Sequence, residues 1–236
     1  MATETPDRDH ASTSETPNPG DSQYAAHLER SRTVWDRWSD YYTMSETDLE
    51  PMREAALDRL ELQPGNRVLE IGCGPGVNFE RVRSEIGEHG ELVAVDYSPE
   101  MIAKARARID HHGWENVEVR RADATTAEFD EPFDAAIATL SLSVMPDIRR
   151  AVETVSQSLV PDATFVVVDI RPVPDGPARI LNPLLWRFLR WYANWNPDDD
   201  VVDALAAVFD THELVDTSLA GTLYTVVCEK ERDSNN

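Results

Sequence analysis

The stretch VLEIGCGPGVN, from Val68 to Asn78, decides the fold. Apolar strand formers lead into Gly72-Cys73-Gly74-Pro75-Gly76, and a helical pattern opens from about Val77 and ends near Gly87. Glycines at a strand-to-helix junction permit positive φ and let a ligand lie against bare backbone, while the helix start behind them offers unpaired N–H groups. A G-x-G-x-x-G dinucleotide loop does not fit, because its third glycine falls at residue 77, which is Val77. The third glycine comes one position early, at Gly76, and Pro75 stiffens the turn.

Working outward, the second strand-like run, Leu92–Val95, ends on Asp96, twenty residues past Gly76. An acid at the tip of a neighbouring strand is where a doubly wound sheet grips ribose hydroxyls, since a carboxylate accepts two hydrogen bonds from the diol. Ser98 then reads as an N-cap with Pro99 at the first helical position, and that helix runs to Gly113. Further strands are expected at Val117–Arg120, Phe133–Thr139 and Thr164–Ile170, with a helix starting near Asp147. Such alternation predicts a parallel sheet covered on both faces. A helix over Val201–Phe209 precedes two strand-like runs, Glu213–Leu219 and Thr222–Cys228, separated by Ala220-Gly221 as in an antiparallel hairpin. The fold class is α/β: a doubly wound seven-stranded sheet, mostly parallel, with a C-terminal antiparallel hairpin strand at its edge.

The run from Val68 to Met101 resembles the first two motifs of class I S-adenosylmethionine-dependent methyltransferases, in particular the small-molecule group of quinone C-methyltransferases. E-x-G-x-G-x-G followed by D-x-S-x-x-M-I is specific in combination, and the resemblance extends over about Trp35 to Lys230. It implies S-adenosylmethionine as cofactor and a Rossmann-like methyltransferase fold. Carried over by position, it implies that Gly72, Cys73 and Gly74 line the methionine end of the cofactor and that Glu70 orders the loop and faces the ammonium group. It implies further that Asp96 holds the ribose, that Tyr97 and Met101 flank the adenine, and that Asp123 and Ala124 reach the adenine amino group and ring. Thr139 falls where the family presents backbone to the methionine portion. Related enzymes often carry His-His after the fourth strand; Leu142-Ser143-Val144-Met145-Pro146 stands there instead, so no catalytic base is identified. His111-His112 reads as a favourable charge at a helix end, and His212 is isolated.

Composition speaks to habitat more than to partner. Lys+Arg 22 against Asp+Glu 44 leaves a net charge of −22, and only Lys104 and Lys230 are lysines. An acidic excess repels nucleic acid and anionic membranes. Acid-rich, lysine-poor chains also resemble proteins of halophiles that accumulate KCl, where salt screens self-repulsion over a few ångströms. Base-modifying enzymes often show Asn/Asp-Pro-Pro-aromatic after the fourth strand, and Thr139-Leu140-Ser141-Leu142 lacks it, so no nucleic-acid partner is expected. Cys73 and Cys228 carry no metal or disulfide spacing, which fits a reducing cytoplasm, and no metal site is expected. No apolar run reaches the ~18–20 residues of a membrane span.

Residues 1–22 are rich in Ser, Thr, Pro and Asp and read as a disordered acidic tail. Residues 23–236 read as one domain with N-terminal cap helices (23–43 and 47–60) and a helical insertion at about 174–210. Two aromatic segments flank the nucleotide core. Trp35, Trp38, Tyr41 and Tyr42 lie on a helix similar to the family's cofactor-covering one, with Tyr41 and Tyr42 as substrate candidates; helix packing explains the same spacing. In LNPLLWRFLRWYANWN, Asn182 suits a cap and Pro183 the first turn, and Asn196-Pro197 is a stop signal. Leu184, Phe188, Trp191, Tyr192 and Trp195 share one predicted face, which suits either a lid contacting an apolar acceptor through Trp191 and Trp195, or packing. A weak interfacial membrane contact is a further reading of this helix. The expected function is methyl transfer to a small apolar or aromatic acceptor, such as a quinone precursor, thiol or lipid head group. The alternative is a cofactor-binding sensor or partner subunit without catalysis.

Overall fold

Strands covered on both faces need apolar residues at nearly every position, and the apolar runs of the sequence meet that demand. The computed structural model describes residues 19–39 and 49–231. Its strands are β1 (Arg67–Ile71), β2 (Glu91–Asp96), β3 (Val117–Arg121), β4 (Phe133–Thr139), β5 (Leu159–Ile170), β6 (Thr211–Ser218) and β7 (Leu223–Glu229). They form a seven-stranded sheet in the order β3-β2-β1-β4-β5-β7-β6. β1 to β5 pair in parallel, while β7 runs antiparallel to both β5 and β6. This is the doubly wound, mostly parallel seven-stranded sheet with an antiparallel C-terminal hairpin strand that the sequence pattern predicts.

The helices are α1 (Pro19–Trp38), α2 (Glu50–Asp58), α3 (Phe79–Ile86), α4 (Pro99–His112), α5 (Ile148–Ser158), α6 (Asn182–Ala193) and α7 (Val201–Val208). Residues alternate across the sheet as the pleat requires. Val68, Ile137 and Val166 pack with Leu57 of α2, Phe79 and Val82 of α3 and Ile102 of α4. Leu69, Ile71, Phe165 and Val167 pack on the opposite face with Val152 and Val155 of α5 and Leu205 of α7. The chain winds outward from β1 to β3, then returns to place β4 on the other flank of β1. That reversal opens a crevice beyond the C-terminal ends of β1 and β4, where doubly wound folds bind ligands.

Local signals set most boundaries. Ser98 caps α4 by accepting from the Met101 N–H at 3.2 Å, and Gly113 ends it in the left-handed conformation. Asp147 caps α5 through the Arg150 N–H. The edge strand β6 is largely exposed, yet it carries Glu213 and Asp216 and a register irregularity between Leu214 and Asp216, which blunt an open edge.

Several expectations need correction. α3 begins at Phe79 rather than Val77, because the glycine turn continues and the Asn78 side chain points inward instead of capping. α1 begins at Pro19, ahead of the expected Gln23, and ends at Trp38. Residues 1–18, the bulk of the expected tail, and Tyr41 and Tyr42 lie outside the described residues. The hairpin turn is longer than Ala220-Gly221: Ser218 pairs with Leu223, and Leu219, Ala220 and Gly221 all take positive φ. α6 stops at Ala193, because Asn194 adopts the left-handed conformation that asparagine tolerates. Trp195 therefore does not continue the helical face: it is buried, whereas Trp191 is 67% exposed. Asn182 clamps the backbone of Val173, meeting both its N–H and its carbonyl, and caps nothing. Among the described residues no helix is long and apolar enough to cross a membrane.

Candidate active site

A cavity open to solvent occupies the crevice at the C-terminal ends of β1, β2 and β4. Its floor is the glycine loop. Gly72 has a φ of 66°, and a Cβ there would sit 2.3 Å from the Ser141 Cβ, so only glycine lets the segment after β4 close against β1. Ser141 locks this contact by donating to the Ile71 carbonyl at 2.8 Å. Gly74 is also left-handed, at 54°, but the space beside it holds no atom of the described residues within 4 Å. Bare backbone thus faces the cavity where a ligand could lie against it.

Asp96 stands at the tip of β2, half-buried in the cavity wall. Its Oδ2 accepts from the Gly74 N–H at 2.9 Å and its Oδ1 from the Ser98 N–H at 2.8 Å. The carboxylate thereby ties the loop to the start of α4. An ionised carboxylate has about four acceptor sites, so two remain for a ligand. Burial raises its pKa above the usual carboxylate range, against the lowering effect of these N–H groups. Tyr97, Met101, Ala124 and Thr139 also line the cavity, and the Arg121 guanidinium lies 5.3 Å above the Tyr97 ring.

Two expected residues lie beneath the cavity rather than on its surface. Glu70 is buried, accepts from Asn78 Nδ2 at 2.9 Å, and leaves Oε2 with no partner. Burial pushes its pKa up to about 8. Asn78 also reaches Thr139 Oγ1 at 3.3 Å, so one amide joins the two strands that flank the crevice. Cys73 is buried too, its thiol pushed well above the usual range by burial. It contributes bulk, not lining.

Asp123 lines the cavity as well, with most of its acceptor sites engaged by the protein. Its Oδ1 accepts from the Thr125 N–H at 3.0 Å and hydroxyl at 2.9 Å, and its Oδ2 accepts from the Tyr24 hydroxyl. Three acceptor sites are therefore already in use. Tyr24 belongs to α1, which crosses the cavity and contributes Leu28, Ser31, Arg32 and Trp35 to its lining. Further ties hold this helix down. Ser98 Oγ donates to Asp36 at 2.6 Å, Ser31 Oγ donates to the Val144 carbonyl at 3.0 Å, and Asn194 Nδ2 donates to Ser31 Oγ at 2.7 Å. The sequence reading missed Tyr24. Its signal was a stripe at 24, 28, 31, 32 and 35, which places a mixed polar and apolar face on one side of a helix.

The remaining wall is apolar: Leu140, Val144, Met145 and Pro146 follow β4. Leu140 is held at a φ of 53°, costly for a branched side chain, and its N–H donates to the Val168 carbonyl at 2.7 Å. Among the described residues that line it none is a histidine, and Arg32 is the one cation, paired with Glu29 and Asp36. Trp191 and Trp195 do not line the cavity. Among the described residues no cluster of His, Cys, Asp or Glu could hold a metal.

The acidic, bare-backbone half of this cavity fits a cationic adenosyl compound. Glu70 supplies an unpartnered oxygen beneath the loop, Gly74 supplies open backbone, and Asp96 supplies free acceptor sites. Comparisons agree. Residues 62–214 match a family model described as a methyltransferase domain. A phosphatidylethanolamine N-methyltransferase of Cereibacter sphaeroides is 29% identical over 167 residues, covering 68% of this chain and 79% of that enzyme. A demethylmenaquinone methyltransferase of Desulfitobacterium hafniense is 27% identical over 127 residues, covering 52% of this chain and 50% of that enzyme. The fold is shared with N-methyltransferase NodS of Bradyrhizobium japonicum, solved with S-adenosylhomocysteine, at a TM-score of 0.60 and 20% identity over 89% of this chain and 99% of that one. The chain belongs to the methyltransferase-domain family and is an S-adenosylmethionine-dependent methyltransferase.

Proposed function

We propose that the acceptor is a small apolar or aromatic molecule whose attacking atom needs no protein base. The observation that carries this is the cavity wall formed by Trp35, Leu140, Val144, Met145 and Pro146, which is apolar and, among the described residues, offers no imidazole. Bound S-adenosylmethionine supplies an electrophilic methyl group, so the protein's work is to bind, orient and exclude water. A nucleophile held in line at roughly 3–3.5 Å gains ~7–11 kcal/mol in the best cases. A thiolate, phenolate or stabilised carbanion then needs little else, whereas a neutral amine or hydroxyl needs a base within reach.

In this reading Gly72, Gly74 and Thr139 present backbone to the methionine portion, and Asp96 holds the ribose diol. Tyr97, Met101 and Ala124 flank the adenine. Asp123 keeps one acceptor site for the adenine amino group while Tyr24 occupies its neighbour. Glu70 answers the ammonium from below, and its unpartnered Oε2 supports that role.

The Glu70 assignment carries a pH signature. Burial raises its pKa from 4.5 to about 8, so the folded chain holds a proton there that the unfolded chain releases between those values. Stability from this group is complete below about pH 4.5, declines as pH rises, and levels off above about 8. Glu70→Gln removes that decline: between pH 5 and 8 it loses about 1–2 kcal/mol less than the parent in urea titrations. At pH 8 the same variant binds S-adenosylmethionine about tenfold more weakly, since it cannot ionise beside the ammonium. Parallel stability profiles for the two proteins remove Glu70 from this role.

The acceptor reading is tested by incubating the full chain with isotopically labelled methyl donor and extract of its native cells in concentrated KCl. Mass spectrometry will find label in the apolar small-molecule fraction. Label confined to nucleic acid or protein overturns it.

A further inference from the structure

Eight large apolar side chains are exposed among the described residues, and six of them lie within twelve positions: Ile180, Leu181, Leu184, Trp186, Phe188 and Trp191. They belong to a 3₁₀ turn (Pro177–Leu181) and to α6, which seats itself on the protein through only two buried residues, Leu189 and Ala193. Ile180, Leu184, Phe188 and Trp191 follow helical spacing along one side, and Phe188 and Trp191 are in ring contact at 6.3 Å. A contiguous exposed apolar face of this kind marks a contact surface.

Charge indicates what covers it. The chain carries a net −22, yet the arginines Arg179, Arg187 and Arg190, all exposed, sit on the turn and helix themselves, while the nearest acids in sequence, Asp175 and Asp198 to Asp200, lie beyond the two ends of that stretch. An anionic surface is repelled by the chain as a whole and attracted by this stretch, which fixes the orientation of approach. Exposed tryptophans beside arginines are suited to the boundary between lipid head groups and acyl chains. At twelve residues, α6 spans about 18 Å, too short to cross a bilayer and suited to lying within its surface.

We propose that Pro177–Ala193 docks in the plane of an anionic lipid bilayer. Docking sets the rest of the molecule in a particular pose. Trp191 meets Trp38 of α1 at 6.5 Å, and Asn194 holds Ser31 of α1. The helix that covers the cavity is therefore the immediate neighbour of the docked face, and an apolar acceptor dissolved in the bilayer has a short route to the cavity. That route rests on the acceptor reading above; the docking does not.

The test is sedimentation of the full chain with vesicles in about 1 M KCl, where charges still attract at contact range. Vesicles of phosphatidylcholine with one-third phosphatidylglycerol will retain about tenfold more protein than phosphatidylcholine alone. Ile180→Ser with Leu184→Ser will lower binding to both vesicles by about tenfold or more, since both side chains are solvent-exposed and their loss leaves the fold intact. Arg187→Glu with Arg190→Glu will abolish the preference for anionic lipid. Unchanged melting temperature and S-adenosylmethionine affinity confirm that each variant is folded. Equal binding by parent and apolar variant overturns the proposal. So does a parent that stays in the supernatant, or a dimer in sedimentation equilibrium that the serine variant converts to monomer. If vesicles bind but no apolar product is methylated, the acceptor reading fails and the docking stands.

Discussion

Asp96→Asn will weaken S-adenosylmethionine binding by about 100-fold in calorimetry, with the protein still folded. The carboxylate holds the Gly74 and Ser98 N–H groups and keeps two acceptor sites for the ribose diol. An amide of the same shape has one oxygen and one NH₂, so it can retain only one of those N–H groups, and its donor opposes a diol hydroxyl. Hydrogen bonds to a charged group contribute ~1.5–3 kcal/mol each, and the loss of one with reversal of another gives the expected factor. The loop shifts as well, because Gly74 or Ser98 is left without its acceptor. Unaltered affinity removes the ribose assignment and, with it, the orientation given to the cofactor.

Raising KCl from about 0.1 to 3 M will lift the melting temperature by about 10 °C or more, equivalent to ~3–5 kcal/mol for a chain of this size. With 44 carboxylates and 22 Lys and Arg, half of the acids have no cation to pair with even if every cation is engaged. Their mutual repulsion reaches about 10 Å in dilute buffer and about 3 Å at molar salt. Arg81 shows how the scarce cations are used: it bridges Glu54, Asp58 and Glu85 at once. Exposed pairs of this kind contribute little individually, so the screening of unpaired acids dominates the response. A melting temperature independent of KCl overturns the reading of this composition as salt adaptation.

The sheet was legible because its signals are local. Gly72 to Gly76 announce the turn, Ser98-Pro99 and Asp147 announce helix starts, and the apolar runs announce buried strands. Asp96 was legible for the same reason, lying at a fixed distance from the loop. What escaped depends on contacts far apart in sequence. Tyr24 meets Asp123 across 99 positions, and no spacing within either segment foretells that meeting. Asn78 leaves α3 without a side-chain cap and donates to Glu70, eight positions back, because a buried acid needs a donor more than an exposed helix end does. The end of α6 was available in principle: Asn194 is the kind of residue that turns a helix off, and reading it so separates Trp191 from Trp195.

The stitching of α1 has a kinetic consequence. Tyr24 at one flank and Asp36 at the other fasten the helix to the segment after β3 and to the start of α4, and the helix between them lines the cavity. Tyr24→Phe removes one of these ties, so donor release measured by stopped flow will quicken while single-turnover methyl transfer stays unchanged.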